Sequence, residues 1–223
     1  MNSKVFSIIL GFLLIATAFL PATAQFWAKI DLTFFMTVNP LLANDTFGTF
    51  VALLNSRLGD WISHLAFAAL LVSSIPQRKE AIYSLIGMVI IAILTQFLVN
   101  YCVFKKFLDF LKDSPSLSVP YFIDIEKLFP FPNNHATTVR SFPGDHSTTL
   151  FVCTTWILIA TGRRLLKPLL FLAILFSLPR LLAGAHGLSD VIAGAGAITL
   201  IVYPVLTAAH QLIQSLAKPK QIA

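Results

Sequence analysis

From Val5 to Ala28 no residue carries a charge, and Ala81 to Phe104 reads as a second long apolar run. About 20 consecutive apolar residues let a helix cross the hydrocarbon core of a bilayer. There, every backbone N–H and C=O must find its partner inside the protein. These two runs restrict the chain to membrane helices more strongly than any other feature. The composition agrees, with 57% of the 223 residues hydrophobic and only 12% charged, against about 25% charged in a soluble domain.

Four more segments continue the pattern: Trp61–Ile75, short and starting near Asp60; Thr148–Gly162; Leu165 to about Ala185, interrupted by Pro179 and Arg180; and Asp190 to about Leu212. The expectation is an all-α integral membrane bundle of six transmembrane helices. Residues 29–60, with DLTFFMTVNPLL and DTFGTFVALLN, suggest short helices lying along the interface. No polar linker, low-complexity tract or internal repeat divides residues 1–223, so a single domain is expected. Lys4, the first apolar run and Ala22-Thr23-Ala24 also resemble a secretory signal with its cleavage site. Phe26 and Trp27 equally suit the interfacial anchors of a retained helix.

The net charge of +6 is explained by topology rather than by a nucleic-acid partner. With the N-terminus in the cytoplasm, the short inner segments carry Lys4, Arg78, Lys79, Arg163, Arg164, Lys167, Lys218 and Lys220, with Glu80 the only acid beside them. That density of Lys and Arg in short loops is the signature of the cytoplasmic side. The assignment puts the end of the third span, the start of the fourth and the turn between the fifth and sixth on one outer rim. Lys105, Lys106, Lys112, the stretch SFPGDHSTT at 141–149, Arg180, His186 and Asp190 all fall there.

Arg180 stands in the apolar run FLAILFSLPRLLAGAHGLSD. An Arg at a helix centre costs roughly 2.5–3.5 kcal/mol on insertion scales. It either snorkels to the headgroups or faces a polar pocket, where its planar fork suits a phosphate. His186 and Asp190 are four apart. They share a face if the helix is continuous, and the carboxylate can still reach back if Gly187 breaks it. Either way an acid beside an imidazole fixes its tautomer. In SFPGDH, Pro143 and Gly144 favour a tight turn feeding a helix N-terminus, an anion-binding arrangement. His146 at that terminus can donate a proton, while Asp145, Ser147 and Thr148 are equally able to act as caps. Two histidines, an acid and several cations at a membrane lip point to phosphoryl transfer on an amphiphile, one His attacking phosphorus and the other acting as general acid. His64, His135 and His210, and the two cysteines Cys102 and Cys153, show no metal-ligand spacing. No metal and no cofactor is expected.

These residues resemble the type-2 phosphatidic acid phosphatase/haloperoxidase superfamily. Its third motif, Ser-Arg-x5-His-x3-Asp, is matched by Arg180-LLAGA-His186-GLS-Asp190, with Pro179 in place of Ser. Its second, Pro-Ser-Gly-His, is present as Pro143-Gly144-Asp145-His146. The first, Lys-x6-Arg-Pro, has two poor matches: Lys105 with Lys112, which keeps the charge, and Lys112 with Val119-Pro120, which keeps the proline. The first pairing is favoured, with Arg140 supplying the missing guanidinium. The resemblance implies His186 as the nucleophile that forms a phosphohistidine, Asp190 as its orienting acid and His146 as general acid. It implies phosphate binding by Arg180, Lys105, Lys112, Arg140 and the Gly144 backbone N–H.

Within the superfamily, FPGDH, the Lys-x-Ser-Pro-x-Leu run at 112–117, PRLLAGAH and the early QFWAKIDLTFF look like the branch of lipid A 1-diphosphate synthases. Those are inner-membrane enzymes that move phosphate from undecaprenyl pyrophosphate to the 1-phosphate of lipid A. The branch implies a multi-pass protein of the bacterial inner membrane with its active site at the periplasmic rim, acting on lipid phosphates or pyrophosphates within the bilayer. The alternative from the same superfamily is a hydrolase of undecaprenyl pyrophosphate or phosphatidyl phosphates. A transporter ranks last: such sites lie near the midplane between repeated halves, whereas here the polar cluster is at one rim.

Overall fold

The computed structural model describes residues 2–129 and 136–217. His135, Lys218 and Lys220 lie outside the described residues. Helix α1 (Ser3–Phe19) starts at Asn2, whose side chain accepts the Lys4 N–H. It stops at Leu20 because Pro21 follows. The residue before a proline is pushed to extended geometry, and Leu20 has φ −71° and ψ 126°. Pro21 then opens α2 (Pro21–Val38) at a first-turn position that suits its fixed φ. The axis turns by 81° there. The uncharged run Val5–Ala28 is thus not one continuous helix, and Ala22–Ala24 lies within α2.

A 3-10 turn (Asn39–Ala43) leads to α3 (Asp45–Asn55), capped by the Asn44 side chain, and then α4 (Arg57–Ser74), capped by Ser56. Helix α5 (Arg78–Leu94) widens into a π-helical stretch, Thr95–Phe107. After a 3-10 turn (Pro115–Ser118) and the short α6 (Ile125–Leu128) come α7 (Asp145–Thr161), a further 3-10 turn (Arg163–Leu165) and α8 (Leu166–Leu182). A second π-helical stretch, Asp190–Gly196, opens α9 (Ala197–Ala217).

Three helical stretches among the described residues are long and apolar enough to cross a membrane: Arg78–Phe107, Arg163–Leu182 and Asp190–Ala217. The bent pair Ser3–Phe19 and Pro21–Ala43 makes a fourth if it counts as one span. The six expected spans are therefore not all distinguished by length and apolarity. Helix α4 is 18 residues long and carries Arg57 and Asp60, and α7 is 17.

Trp156 of α7 is the largest fully buried side chain, packed in a cluster with Phe67, Met88, Leu150, Leu169 and Leu206. Its indole N–H donates to Ser84 Oγ at 3.0 Å, satisfying the one polar atom that burial would otherwise strand. A second cluster joins Phe104, Phe142, Ala193 and Ile198. It ties the turn before α7 to both π-helical stretches. Residues 112–114 run beside 138–141, the Lys112 N–H donating to Val139 O at 3.2 Å and the Ser141 N–H to Lys112 O at 3.0 Å. These contacts bring the ends of α4, α5, α7 and α8 to one rim of the bundle.

Candidate active site

Helix α8 runs through Pro179 and carries Arg180 in its last turn. Gly184 ends the helix with φ +80°, a left-handed conformation that favours glycine. The Ala185 and His186 N–H groups fold back to donate to Arg180 O at 3.0 and 3.3 Å. The Gly187 N–H then donates to Asp190 Oδ2 at 2.7 Å. His186 and Asp190 therefore do not share a continuous helix. The break at Gly187, the second geometry considered from sequence, is the one observed.

His186 is buried. Its Nδ1 lies 2.8 Å from the Ser141 carbonyl oxygen and 3.7 Å from Asp190 Oδ2, and its Nε2 lies 3.5 Å from Asp145 Oδ1. A carbonyl can only accept, so the Nδ1 nitrogen carries the proton and Nε2 holds the lone pair in the neutral ring. Burial by itself would lower the imidazole pKa. The hydrogen bonds and charges of Asp145 and Asp190 override it and raise His186 from its ordinary value to about 9.

Nε2 faces a polar pocket of about 360 Å³ whose lining includes Arg57, Asp60, Lys105, Arg140, Asp145 and Arg180. Lys105 Nζ is 3.7 Å from Asp145 Oδ2. Arg140 donates through Nη1 to Lys105 O at 2.9 Å and through Nη2 to Asp109 Oδ1 at 2.6 Å. His146 sits in the first turn of α7, ahead of the apolar run that starts at Thr148. Its Nδ1 is 3.2 Å from Asp60 Oδ1. Its Nε2 is buried with no hydrogen-bond partner among the described residues. Burial holds this imidazole below its ordinary pKa, with Asp60 pulling it back up and Arg180 pressing it down.

Two expectations from sequence are corrected. Lys112 does not line the pocket. Its ammonium is enclosed between Asp190 Oδ1 at 2.6 Å and Asp31 Oδ2 at 2.9 Å. Burial opposes its charge, yet the charges of Asp190 and Asp31 outweigh that and raise its pKa. Lys112 serves the two carboxylates. The Gly144 N–H is likewise not free for a phosphate, since it donates to the Asp190 carbonyl at 3.1 Å. The structure does bring Arg180, Lys105, Arg140, Asp145 and His186 to one pocket.

Sequence reasoning missed four participants. Asp31 accepts from Lys112 and from the Ser189 N–H and hydroxyl. A lone acid in the apolar stretch AKIDLTFF was the available signal, since an intramembrane charge marks a partner or a site. From sequence, Asp60 marks only the start of a span. Arg57 lies one helical turn before it. Ser141 acts through its backbone carbonyl, which no side-chain pattern reveals.

An apolar cavity of about 680 Å³ is walled by residues of α4, α5, the π-helical stretch after it and α7, among them Trp61, Met88, Phe97 and Leu150. Trp61 follows Asp60, and Thr149 lies one turn on from Asp145. Gln96, also in its wall, donates to Asp145 O and to Thr149 Oγ1.

The family model of the PAP2 superfamily matches residues 80–213. The chain is 29% identical over 202 residues to lipid A 1-diphosphate synthase of Escherichia coli (strain K12), covering 88% of this chain and 83% of that protein. No solved structure matches.

Proposed function

The chain belongs to the PAP2 superfamily and is a lipid phosphatase/phosphotransferase, and on that premise we propose that it moves the terminal phosphoryl group of undecaprenyl pyrophosphate to the 1-phosphate of lipid A. The carrying observation is His186: its Nδ1 is anchored on Ser141, and its Nε2 faces a pocket lined by Arg57, Lys105, Arg140 and Arg180. The neighbouring apolar cavity supports an amphiphilic substrate, because an isoprenoid or acyl tail can lie there while its phosphates reach the cations.

Once Nε2 is unprotonated it attacks the terminal phosphorus. A P–N bond forms, and the P–O bond to the prenyl phosphate breaks. His146 protonates the leaving oxygen where that oxygen needs a proton. The guanidinium and ammonium groups hold the equatorial oxygens as charge builds. An oxygen of the acceptor phosphate then attacks the phosphohistidine, breaking the P–N bond and returning the lone pair to Nε2. Asp190 stabilises the charged ring in both steps, and Lys112 and Asp31 hold Asp190.

In this reading the whole of residues 1–223 is one multi-pass unit of the bacterial inner membrane. Six spans are counted by taking α1 with α2 and adding α4, α5, α7, α8 and α9. The N-terminus is cytoplasmic and the pocket periplasmic, supported by the basic residues Lys4, Arg78, Lys79, Arg163, Arg164 and Lys167 at the opposite ends of these helices.

The test uses purified protein with undecaprenyl pyrophosphate labelled on its terminal phosphate, with and without lipid A. Label on lipid A supports the transferase. Label released only as inorganic phosphate reduces the function to hydrolysis. No release in either case overturns the reading.

A further inference from the structure

The carboxylate of Asp60 touches two members of the site at once. Its Oδ1 is 3.2 Å from His146 Nδ1 and 3.2 Å from Arg180 Nη2, and its Oδ2 is 3.4 Å from the same guanidinium nitrogen. It comes from the first turn of α4, outside the 80–213 segment that matches the superfamily. Among the described residues, no motif residue within that segment pairs with a ring nitrogen of His146.

An acid here is costly for binding. The pocket faces an anionic phosphate, and a carboxylate in its wall repels the substrate that Arg57, Lys105, Arg140 and Arg180 attract. Neutralising Arg180 does not by itself require it, because the bound phosphate would supply the counter-charge. What needs a permanent anion is His146. Its ring is buried, and Arg180 from α8 and His64 from α4 oppose its charging. Against them stand Asp60 and, on its own helix, the half-exposed Asp145. Of these two acids only Asp60 meets a ring nitrogen of His146. In the protonated ring Asp60 accepts the Nδ1–H, and Nε2, which has no partner among the described residues, presents the second proton.

We propose that Asp60 is a positioning residue for proton donation: it accepts the Nδ1–H of His146 so that, in the protonated ring, Nε2–H faces the leaving oxygen, and its negative charge opposes the burial and the Arg180 charge that disfavour that protonated form. The inference rests on the phosphohistidine reading of the pocket. It assigns the proton-donating step a part contributed by α4.

A general acid matters in proportion to how poorly the leaving oxygen departs unaided. An alkyl phosphate, whose alkoxide leaves badly, depends on it fully, while p-nitrophenyl phosphate scarcely does. General acid catalysis contributes about 10²–10⁴-fold. Asp60→Asn is therefore expected to lower kcat on a phosphatidic-acid substrate by about 100-fold or more, and on p-nitrophenyl phosphate by less than about tenfold. In a His146→Gln background, Asp60→Asn should add almost nothing for the lipid substrate, since the group it acts through is gone. Asp60→Glu keeps the charge beside Arg180 and shifts the carboxylate from Nδ1, so it should show an intermediate loss confined to the alkyl substrate. That variant carries the test if Asp60→Asn does not survive extraction. Equal losses on both substrates, or full additivity with His146→Gln, would leave Asp60 a mere structural partner of Arg180 and overturn the proposal. Failure of the underlying reading looks different: wild-type protein that releases no label from undecaprenyl pyrophosphate, or His186→Ala as active as wild type.

Discussion

The carbonyl oxygen of Ser141 lies 2.8 Å from His186 Nδ1, closer than the Asp190 carboxylate at 3.7 Å. The ring's tautomer is thus fixed by the backbone of the turn before α7, and Asp190 contributes charge more than direction. Asp190→Asn should then keep measurable turnover, with kcat reduced about 100-fold rather than abolished, within the range for loss of an electrostatic partner. His186→Ala should show no transfer above background while remaining folded and inserted. Single-turnover assays with labelled lipid pyrophosphate on both variants check this. Full activity of Asp190→Asn would remove that carboxylate from the chemistry.

Among the described residues Lys112 is the only ammonium bound to both Asp31 and Asp190, and both acids are buried. Taking one partner from a buried ionic cluster strands the remaining charge and costs about 3–5 kcal/mol. Lys112→Met is expected to lower the thermal unfolding midpoint in detergent markedly. Adding Asp31→Asn to it should recover part of the loss, because one stranded charge is then removed. A Lys112→Met protein as stable as wild type would contradict the cluster.

Gly187 supplies a close approach. A Cβ there would fall within 2.3–2.7 Å of the Asp31 carboxylate atoms, which Lys112 and Ser189 hold in place. Gly187→Ala must push that carboxylate aside. The expected result is destabilisation of about 1–3 kcal/mol, the ordinary cost of overpacking, with activity falling as well because the displaced Asp31 no longer holds the turn. Thermal unfolding and lipid turnover measured on the same preparation test both parts.

Much of this arrangement was legible in the chain. The spacing Arg180, His186, Asp190 and the turn at Pro143–Gly144 located the pocket because each puts an unusual polar residue beside an apolar run. The helix limits were less legible. Pro21 turns the chain by 81° inside a stretch whose lack of charge suggested one span. Lys112 reads as a phosphate ligand since sequence gives its charge but not its partners, and a half-buried cation held between two acids is already neutralised by them. Asp31 and Asp60 come from helices far away in sequence. Their roles depend on packing that a linear motif does not encode.

The half-exposed Asp145 stands beside Nε2 of His186, where the superfamily motif that the chain resembles carries glycine. Its hydrogen bond and charge, with those of Asp190, raise the His186 pKa to about 9. In the free enzyme near neutral pH the ring is therefore protonated, and its lone pair is released only as pH rises or as Asp145 is displaced. Imidazole NMR of histidine-labelled protein, assigned with His186→Gln, should show His186 titrating near pH 9. Asp145→Asn removes an acid that favours the charged ring and should move that titration to lower pH. The stability sign follows from the same shift. A histidine whose folded pKa exceeds its unfolded value of about 6.5 stabilises the fold fully below that value and loses the contribution as pH rises through about 9. The unfolding-midpoint difference between wild type and Asp145→Asn should thus be largest near pH 6 and shrink through pH 9. An unchanged titration in the variant would show that Asp145 does not govern the His186 imidazole.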